Sequence, residues 1–362
     1  MLSLKITLVA VDEVRKILMD LEIMDMDHRI LPEKVYGYIG ITEKIDQQCI
    51  EMIKEKVSKS KKVQKRLKDN ELLIEICNKE LELIPRHPHS VSEMLEDKLS
   101  SDEIEDLKKS FDIIGKVVIV EIPENLQKHK KLIGETTLEF TKRDSVYMKK
   151  SAIHGITRTR EIEFLSGIDN PITIHKEQKV RLKLDVSKVY FSPRLTTERK
   201  RIANIVKDGE KVLDMFAGVG PFPIIIGSKH KVDITAVDIN CVAIDYLKEN
   251  IKLNKLKGNI TPICGDINEV KNKQLKGEKF DRILMNLPGT AYEFLDTAFE
   301  FVANNGIIHY YEFSEGFTQG IERLNEIATK HNKHTEIVNT RKVRSSSPGM
   351  WQVAIDCKVI DN

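Results

Sequence analysis

The sequence predicts an α/β fold in which a mixed, seven-stranded sheet follows two smaller α+β domains. Three observations carry this prediction. Strands alternate with helices from residue 210 onward, two prolines interrupt the periodicity within residues 84–89, and short alternating strands recur between residues 153 and 189. Strands that alternate with helices in this way are typical of a parallel sheet covered on both faces. The expected domains are residues 1–84, 85–185 and 186–362.

Composition and charge exclude several protein classes. With 362 residues the chain is too long for a disulfide miniprotein, and 58 Lys and Arg residues against 56 Asp and Glu residues leave a net charge of +2. Nucleic-acid affinity would therefore depend on local patches and not on the overall field. The longest apolar stretches are far shorter than a membrane span. We expect a monomeric, cytoplasmic protein with no membrane contact and no bound metal.

The five cysteines are widely spaced, and no two of them form a Cys-x-x-Cys pair. This pattern predicts neither a disulfide framework nor a zinc site, and it favours a reducing compartment. Cys241 and Cys264 lie near the ligand pocket that is predicted below. There we expect them to pack as small buried thiols.

The first domain begins with a strand pattern, because apolar residues alternate from Leu2 to Leu8, and continues with helical spacing over residues 11–21. Eight basic residues occur within the fifteen positions from Lys54 to Lys68. This run is either a solvated helix face or a surface that faces phosphates. In the second domain the pattern predicts a helix over 92–109, a strand over 113–122 and a helix over 124–140.

The elements of the third domain follow from apolar runs that are bounded by turn residues. Strands are predicted at 211–216, 233–238, 260–264, 280–285 and 306–312. Helices are predicted at 198–206, 223–229 and 242–254. Two final strands, 335–344 and 351–360, are expected to form an antiparallel hairpin that closes the edge of the sheet.

Acidic residues stand at or just after the ends of three successive predicted strands of this domain: Asp214, Asp238 and Asp266. The first acid is followed by a turn with two glycines, Gly218 and Gly220, which let the backbone approach a ligand closely. Carboxylates at this edge of a Rossmann-like sheet can accept both hydroxyls of a ribose, whereas they would repel a pyrophosphate. The pattern therefore favours S-adenosylmethionine over a dinucleotide. The alternative is that the three aspartates only cap helices.

The fourth predicted parallel strand ends in Asn286-Leu287-Pro288, which presents an amide and backbone carbonyls beside a transferable methyl group. Such a turn suits a planar base that carries N–H groups. Methylation of a pyrimidine at carbon 5 normally needs a cysteine nucleophile, and here Pro288 is followed by Gly289. The remaining acceptor is a nitrogen atom.

Four blocks of sequence occur together in this chain, at residues 157–161, 189–199, 214–222 and 286–288. Their combination resembles the archaeal and eukaryotic tRNA (guanine-37-N1)-methyltransferases. The Tyr-Phe-Ser-Pro-Arg-Leu run that begins at Tyr190 is specific to that family and its near relatives. The resemblance implies a class I methyltransferase domain, S-adenosylmethionine as cofactor, and tRNA as partner. The anticodon stem-loop would enter the site, and the first domain would contact the tRNA elbow.

The resemblance also implies roles for individual residues. Glu198 would be the general base that removes the proton from guanine N1, and Arg158 would stabilise the charge that develops on O6. Asn286 would orient the base, while Arg199 would pair with the carboxylate of the cofactor's methionine moiety. The implied cofactor set is Arg199, Asp214, Phe216, Gly218, Gly220, Asp238, Ile239, Asp266, Ile267, Asn286 and Pro288. The implied substrate-binding set is Arg158, Tyr190 and Arg194.

Several alternatives stay open. Glu198 could be only a first-turn acid of a helix that Thr196 or Thr197 caps. Arg158 could be only a surface arginine. The chain could also be a related enzyme that transfers the aminocarboxypropyl group during wybutosine synthesis, although those relatives lack the turn at 286–288. A non-catalytic RNA-binding protein with a vestigial methyltransferase fold would have lost one of the site residues, and all are present.

Overall fold

The computed structural model describes residues 1–42, 45–67, 71–84, 88–108, 110–150 and 161–362. It divides into two compact units, Met1–His89 and Ser90–Asn362. Among the helices of these described ranges, none is long and apolar enough to cross a bilayer. The domain boundaries at 84 and 185 remain predictions.

The first unit is a four-stranded antiparallel sheet covered by helices. In chain order its elements are β1 (Leu2–Thr7), α1 (Val11–Asp20), β2 (Leu31–Pro32), β3 (Tyr36–Gly40), α2 (Gln47–Ser58), α3 (Lys61–Leu67) and β4 (Ile74–Asn78). The strand order is β2-β3-β1-β4. The basic run lies on α2 and α3, whose apolar residues Ile53, Val57 and Val63 are buried, so its lysines form the outer helix faces. Lys68 lies outside the described residues.

The second unit begins with a small mixed sheet of order β5-β6-β7-β8 and a separate hairpin, β9–β10. Its elements are α4 (Ser101–Asp106), β5 (Asp112–Ile114), β6 (Val117–Val120), α5 (Lys130–Thr141), β7 (Ser145–Lys149), β8 (Ile162–Gly167), β9 (Ile172–Glu177) and β10 (Val180–Asp185). Buried residues of β10 pack in one hydrophobic cluster with residues of the large sheet described next.

Two predictions for this region are wrong. The helix expected over 92–109 is α-helical only at Ser101–Asp106, because Ser100 and Glu103 form a capping box that starts the helix there. The strand expected over 113–122 is instead an antiparallel pair, β5 and β6. The chain reverses at Gly115, whose φ of +57° lies in the left-handed region.

The rest of the second unit is a seven-stranded sheet with helices on both faces, which confirms the predicted α/β class. Its order is β13-β12-β11-β14-β15-β17-β16. Its elements are α6 (Thr196–Ile205), β11 (Lys211–Asp214), α7 (Pro221–Lys229), β12 (Asp233–Asp238), α8 (Cys241–Leu253), β13 (Asn259–Cys264), α9 (Ile267–Lys273), β14 (Phe280–Met285), α10 (Leu295–Phe301), β15 (Val302–Ser314), α11 (Thr318–Lys330), β16 (Lys333–Ser347) and β17 (Met350–Asp361).

Strand order decides where this sheet can bind a ligand. The strands from β13 to β15 are parallel, and β17 is antiparallel to both β15 and β16. From β11 the chain moves first to β12 on one side and later to β14 on the other. Such a reversal opens a crevice at the carboxyl ends of the strands.

Helix α6 begins earlier than the sequence predicted. A 3₁₀ turn, Pro193–Leu195, leads into Thr196 as the first residue of the helix. Leu195 occupies the cap position and makes no side-chain cap hydrogen bond. Thr196 and Thr197 are therefore helical residues and not caps, but Glu198 still lies in the first turn.

A disulfide joins Cys241 to Cys264, so the prediction of buried free thiols is wrong for this pair. The cysteines are 23 residues apart in sequence, and their Cα atoms are 5.2 Å apart. Parallel pairing sets Asp238 of β12 beside Cys264 of β13, which brings the first residue of α8 close to that strand end. Both residues are exposed, whereas Cys357 is a buried free thiol.

We expect the Cys241–Cys264 disulfide to stabilise the protein, because it closes a loop in the unfolded chain. Cys264→Ser should lower the free energy of unfolding by about 3 kcal/mol. Urea denaturation without reductant measures this, with Cys49→Ser, at a free thiol of the other unit, as the control. Titration of five thiols in the unfolded, unreduced wild type, or equal stability of both variants, would contradict the expectation.

Candidate cofactor and acceptor site

A cavity of about 700 Å³ lies at the carboxyl edge of the sheet, in the crevice between β12 and β14. Segments that follow β11, β12, β13 and β14 all contribute to its wall. Nine residues singled out from the sequence line it: Tyr190, Phe216, Gly218, Asp238, Ile239, Asp266, Ile267, Asn286 and Pro288.

Two backbone N–H groups orient the carboxylate of Asp238, and its oxygens keep lone pairs that a ligand can use. Its Oδ2 accepts a hydrogen bond from the Gly218 N–H at 2.7 Å, and its Oδ1 accepts one from the Asn240 N–H at 2.9 Å. Each carboxylate oxygen can accept a second bond. Burial raises the pKa of Asp238, and the two N–H donors oppose that shift. The carboxylate is thus preoriented for the paired hydroxyls of a ribose.

Asp214 lies beneath the cavity wall and is 1% exposed. Its Oδ1 accepts from the Phe216 N–H at 3.2 Å, whereas no described residue donates to its Oδ2. Burial raises the pKa of Asp214 to about 7. A buried oxygen without a donor is costly unless a ligand supplies one. Asp214 does not line the cavity, whereas Asp238 does and can accept the ribose hydroxyls of S-adenosylmethionine, so the lining residues fit this cofactor.

The glycines serve the turn in two different ways. Gly218 (φ +55°) lines the cavity and donates to Asp238. Gly220 (φ +84°) is the cap residue that precedes α7, and a Cβ there would collide with the Leu247 side chain. Gly220 therefore permits helix packing and lies behind the cavity wall.

The acceptor side of the cavity is formed by the turn after β14 and by Gln352 of β17. Asn286 Oδ1 accepts a hydrogen bond from Gln352 Nε2 at 3.1 Å. No sequence pattern pointed to Gln352. The one feature of the sequence that could have identified it is its position as a polar residue beside the apolar run Val353–Ile355. In the structure, β17 is buried continuously from Gln352 to Cys357.

Glu198 is 1% exposed and lies one turn after Leu195, which lines the cavity. Its Oε1 accepts from Tyr311 Oη at 2.8 Å and from Arg201 Nη2 at 2.7 Å. Burial, followed by the charge of Glu198, raises the pKa of Tyr311 well above its usual value, so that hydroxyl keeps its proton and donates. The partners of Oε2 lie at longer distances: Arg201 Nε is 3.1 Å away and Arg341 Nη1 is 3.5 Å away.

A chain of buried polar groups continues behind Glu198. Arg201 donates to Asp356 at 2.5 Å, and Asp356 accepts from His309 Nδ1 at 2.5 Å. Arg282 donates to His309 Nε2 at 2.7 Å, which fixes the tautomer with the proton on Nδ1. Burial lowers the pKa of His309, consistent with a neutral ring. Sequence spacing could have identified Arg201, since it follows Glu198 by three residues on one helix face.

Two predicted site residues lie elsewhere. Arg199 is 1% exposed, and its guanidinium donates to both carboxylate oxygens of Glu177 at 2.5 Å and to the Ser192 carbonyl at 3.1 Å. This buried ion pair commits its guanidinium, and Arg199 does not line the cavity, so the structure gives no support to the predicted contact with the cofactor. Arg194 is paired with Asp112 at 2.7 Å on the surface. Arg158 lies outside the described residues.

Comparison with known proteins identifies the family. A family model described as the TRM5/TYW2 methyltransferase domain matches residues 173–338, and one described as the TYW2 N-terminal domain matches residues 91–170. The tRNA (guanine(37)-N(1))-methyltransferase Trm5b of Methanocaldococcus jannaschii is 36% identical over 362 residues, which cover 99% of this chain and 98% of that protein. The Trm5b of Pyrococcus abyssi is 45% identical over 289 residues, covering 79% and 84%.

Solved structures of similar proteins point to the same family. The crystal structure of wild-type Trm5b from Pyrococcus abyssi has a TM-score of 0.80 at 38% identity and covers 99% of both chains. A complex of aTrm5 with tRNALeu has a TM-score of 0.77 at 35% identity and covers all of both chains.

Another similar protein is named for a different activity. The tRNA(Phe) (4-demethylwyosine(37)-C(7)) aminocarboxypropyltransferase of Methanocaldococcus jannaschii is 36% identical over 252 residues, 96% of its length but 68% of this chain. The remaining 32% of this chain has no counterpart in that alignment. The Trm5b relative from the same organism, in contrast, matches the chain almost from end to end. The chain therefore belongs to the tRNA (guanine-37-N1)-methyltransferases of the TRM5/TYW2 family.

Proposed function

We propose that this chain transfers the methyl group of S-adenosylmethionine to N1 of guanosine 37 in tRNA. The observation that carries the proposal is the convergence, at one cavity, of strand-end carboxylates that suit a ribose with the Asn286–Pro288 turn that suits a base. The chain acts as a monomer on the anticodon stem-loop, whose target base flips into the cavity.

The parallel half of the sheet binds the cofactor. Asp238 accepts the ribose hydroxyls, and Asp214 shapes the wall behind them from its buried position at the end of β11. Ile239 is 37% exposed although it is apolar, and together with buried Ile267 it offers the two apolar faces that a planar adenine needs. When bound, S-adenosylmethionine supplies an electrophilic methyl group.

The other half of the site prepares the nucleophile. Guanine N1 carries a proton at neutral pH, so it cannot attack a methyl group until a base removes that proton. We assign this step to Oε2 of Glu198, since Oε1 is committed to Tyr311 and Arg201 at short distances. Arg341 Nη1, 3.5 Å from Oε2, is the most distant of these partners, and the incoming base would take its place. Arg158 is proposed to stabilise the charge on O6.

Nucleoside analysis tests the proposed reaction. A tRNA transcript with guanosine at position 37 is incubated with S-adenosylmethionine, digested, and examined by chromatography and mass spectrometry. We expect N1-methylguanosine, and no such product from a transcript with adenosine at position 37. A guanosine that carries the aminocarboxypropyl group would support the related transferase instead, and an unmodified transcript would contradict both.

The cofactor assignment predicts a loss of affinity in Asp238→Asn. The amide keeps the shape of the side chain but removes a charged acceptor, so the dissociation constant for S-adenosylmethionine should rise about 10- to 100-fold. Isothermal titration calorimetry measures this. Asp233→Asn, at the opposite end of the same strand, should bind as the wild type does. Equal affinity in all three proteins would remove Asp238 from the site.

The base assignment predicts that Glu198→Gln slows chemistry. Gln cannot accept the N1 proton, so the single-turnover rate should fall by roughly 10²–10⁴-fold, with little change in cofactor or tRNA affinity. Glu312→Gln is a matched control, because Glu312 is equally buried and accepts from Tyr310 and Arg323 on the other face of β15. Similar rates in the two variants would identify Glu198 as a structural acid.

The unit Met1–His89 is proposed to recognise tRNA shape through the basic faces of α2 and α3. Removal of residues 1–89 should raise the KM for full-length tRNA at least tenfold, while the single-turnover rate at saturating RNA persists. The truncated protein retains the hydrophobic clusters of the second unit, and circular dichroism checks its fold. A folded truncation that is inactive at saturating RNA would contradict this role.

A further inference from the structure

A short hydrogen-bond relay reaches the cavity from the antiparallel edge of the sheet. Arg344 Nε of β16 donates to Gln352 Oε1 of β17 at 2.8 Å. Gln352 Nε2 then donates to Asn286 Oδ1 at 3.1 Å. Backbone pairing positions the middle member, because Gln352 lies opposite Phe313 on one side and Arg344 on the other.

The direction of this relay is fixed at its outer end. A guanidinium can only donate, so Gln352 must turn its carbonyl oxygen toward Arg344 and its NH₂ group toward Asn286. Asn286 therefore accepts through Oδ1. Its own NH₂ group is left for the cavity, since no described residue accepts from Asn286 Nδ2 within hydrogen-bond distance.

A role in packing alone does not explain Gln352. The side chain is 1% exposed, in a strand whose next residues are Val353, Ala354 and Ile355. Burying an amide in such surroundings costs free energy unless both of its polar groups are bonded. An apolar residue would fill the same volume without that cost. The two bonds of Gln352 instead connect a fixed donor to a residue of the cavity wall.

We propose that Gln352 is a positioning residue that makes Asn286 a hydrogen-bond donor toward the acceptor base. This inference rests on the proposed function and adds a specificity determinant to it. A donor at this position favours a base that presents a keto oxygen and stabilises the negative charge that spreads onto that oxygen when N1 loses its proton. A base that presents an amino group would bring two donors together.

Gln352→Glu reverses the relay with minimal change in shape. The carboxylate accepts from Arg344 and also from Asn286, which turns Oδ1 of Asn286 toward the cavity. We expect the single-turnover rate on guanosine 37 to fall about 10²-fold, with unchanged affinity for S-adenosylmethionine by calorimetry. The ratio of rates on transcripts with guanosine and with adenosine at position 37 should fall at least tenfold, a change that a purely structural defect would not produce.

Two further variants complete the experiment. Asn286→Asp presents an acceptor to the cavity without altering β17, so it should reproduce both effects even if Gln352→Glu folds poorly. Gln352→Met frees the Asn286 amide without reversing it, and its loss of rate should be smaller than that of Gln352→Glu.

The outcomes separate the inference from the proposed function. If the wild type makes no N1-methylguanosine, the proposed function fails. If the wild type is active but Asn286→Asp and any folded Gln352→Glu protein keep the wild-type base preference, the relay does not set specificity. A loss in Gln352→Met as large as in Gln352→Glu, with an unchanged ratio, would reduce Gln352 to a structural residue.

Discussion

The side of the molecule proposed to receive the base depends on one chain of buried charged and polar groups. It runs from Glu198 through Arg201, Asp356 and His309 to Arg282, and it ties helix α6 to β14, β15 and β17. Charges removed from water are tolerated only when each has a partner, and removing one member of such a pair costs about 3–5 kcal/mol. The orientation of Glu198 is thus specified by the whole edge of the sheet.

The parallel strands and the antiparallel strand β17 contribute different residues to the candidate site. The parallel strands β11 and β12 end in Asp214 and Asp238, and Asp266 follows β13; the strand order brings these strand ends to one edge of the sheet. The antiparallel strand β17 contributes Gln352 and Asp356, which orient the residues proposed to handle the base. The residues proposed for the cofactor and those proposed for the base therefore meet where the two halves of the sheet join at β14 and β15.

Local sequence patterns were sufficient to predict the residues on the cofactor side of the candidate site. Asp238 and Gly218 follow from strand ends and a glycine turn within a short stretch of chain, and the structure brings them together in the cavity. Gln352 and Asp356 could not be found in this way, because their partners lie 66 and 155 residues away. Strand registry, which the sequence does not reveal, creates these contacts.

Arg199 and the cysteine pair differ from the sequence-based expectations for similar physical reasons. Arg199 follows Glu198 directly, but successive residues on a helix point about 100° apart, so Arg199 meets Glu177 of the β9–β10 hairpin instead of the cavity. Cys241 and Cys264 looked independent because 23 residues separate them, yet parallel pairing of β12 with β13 brings them together. Composition correctly excluded a disulfide framework of many bridges but could not exclude a single one.

The pH dependence of single-turnover methylation tests most directly whether Glu198 takes the proton from guanine N1. In Glu198→Gln, solvent hydroxide must replace the missing base, so the rate should rise in proportion to hydroxide while N1 remains protonated. The wild-type rate should change much less over the same range, and the gap between the two enzymes should narrow as the pH rises. A rate ratio that stays constant at every pH would contradict the account, because the proton would then leave by the same route in both proteins.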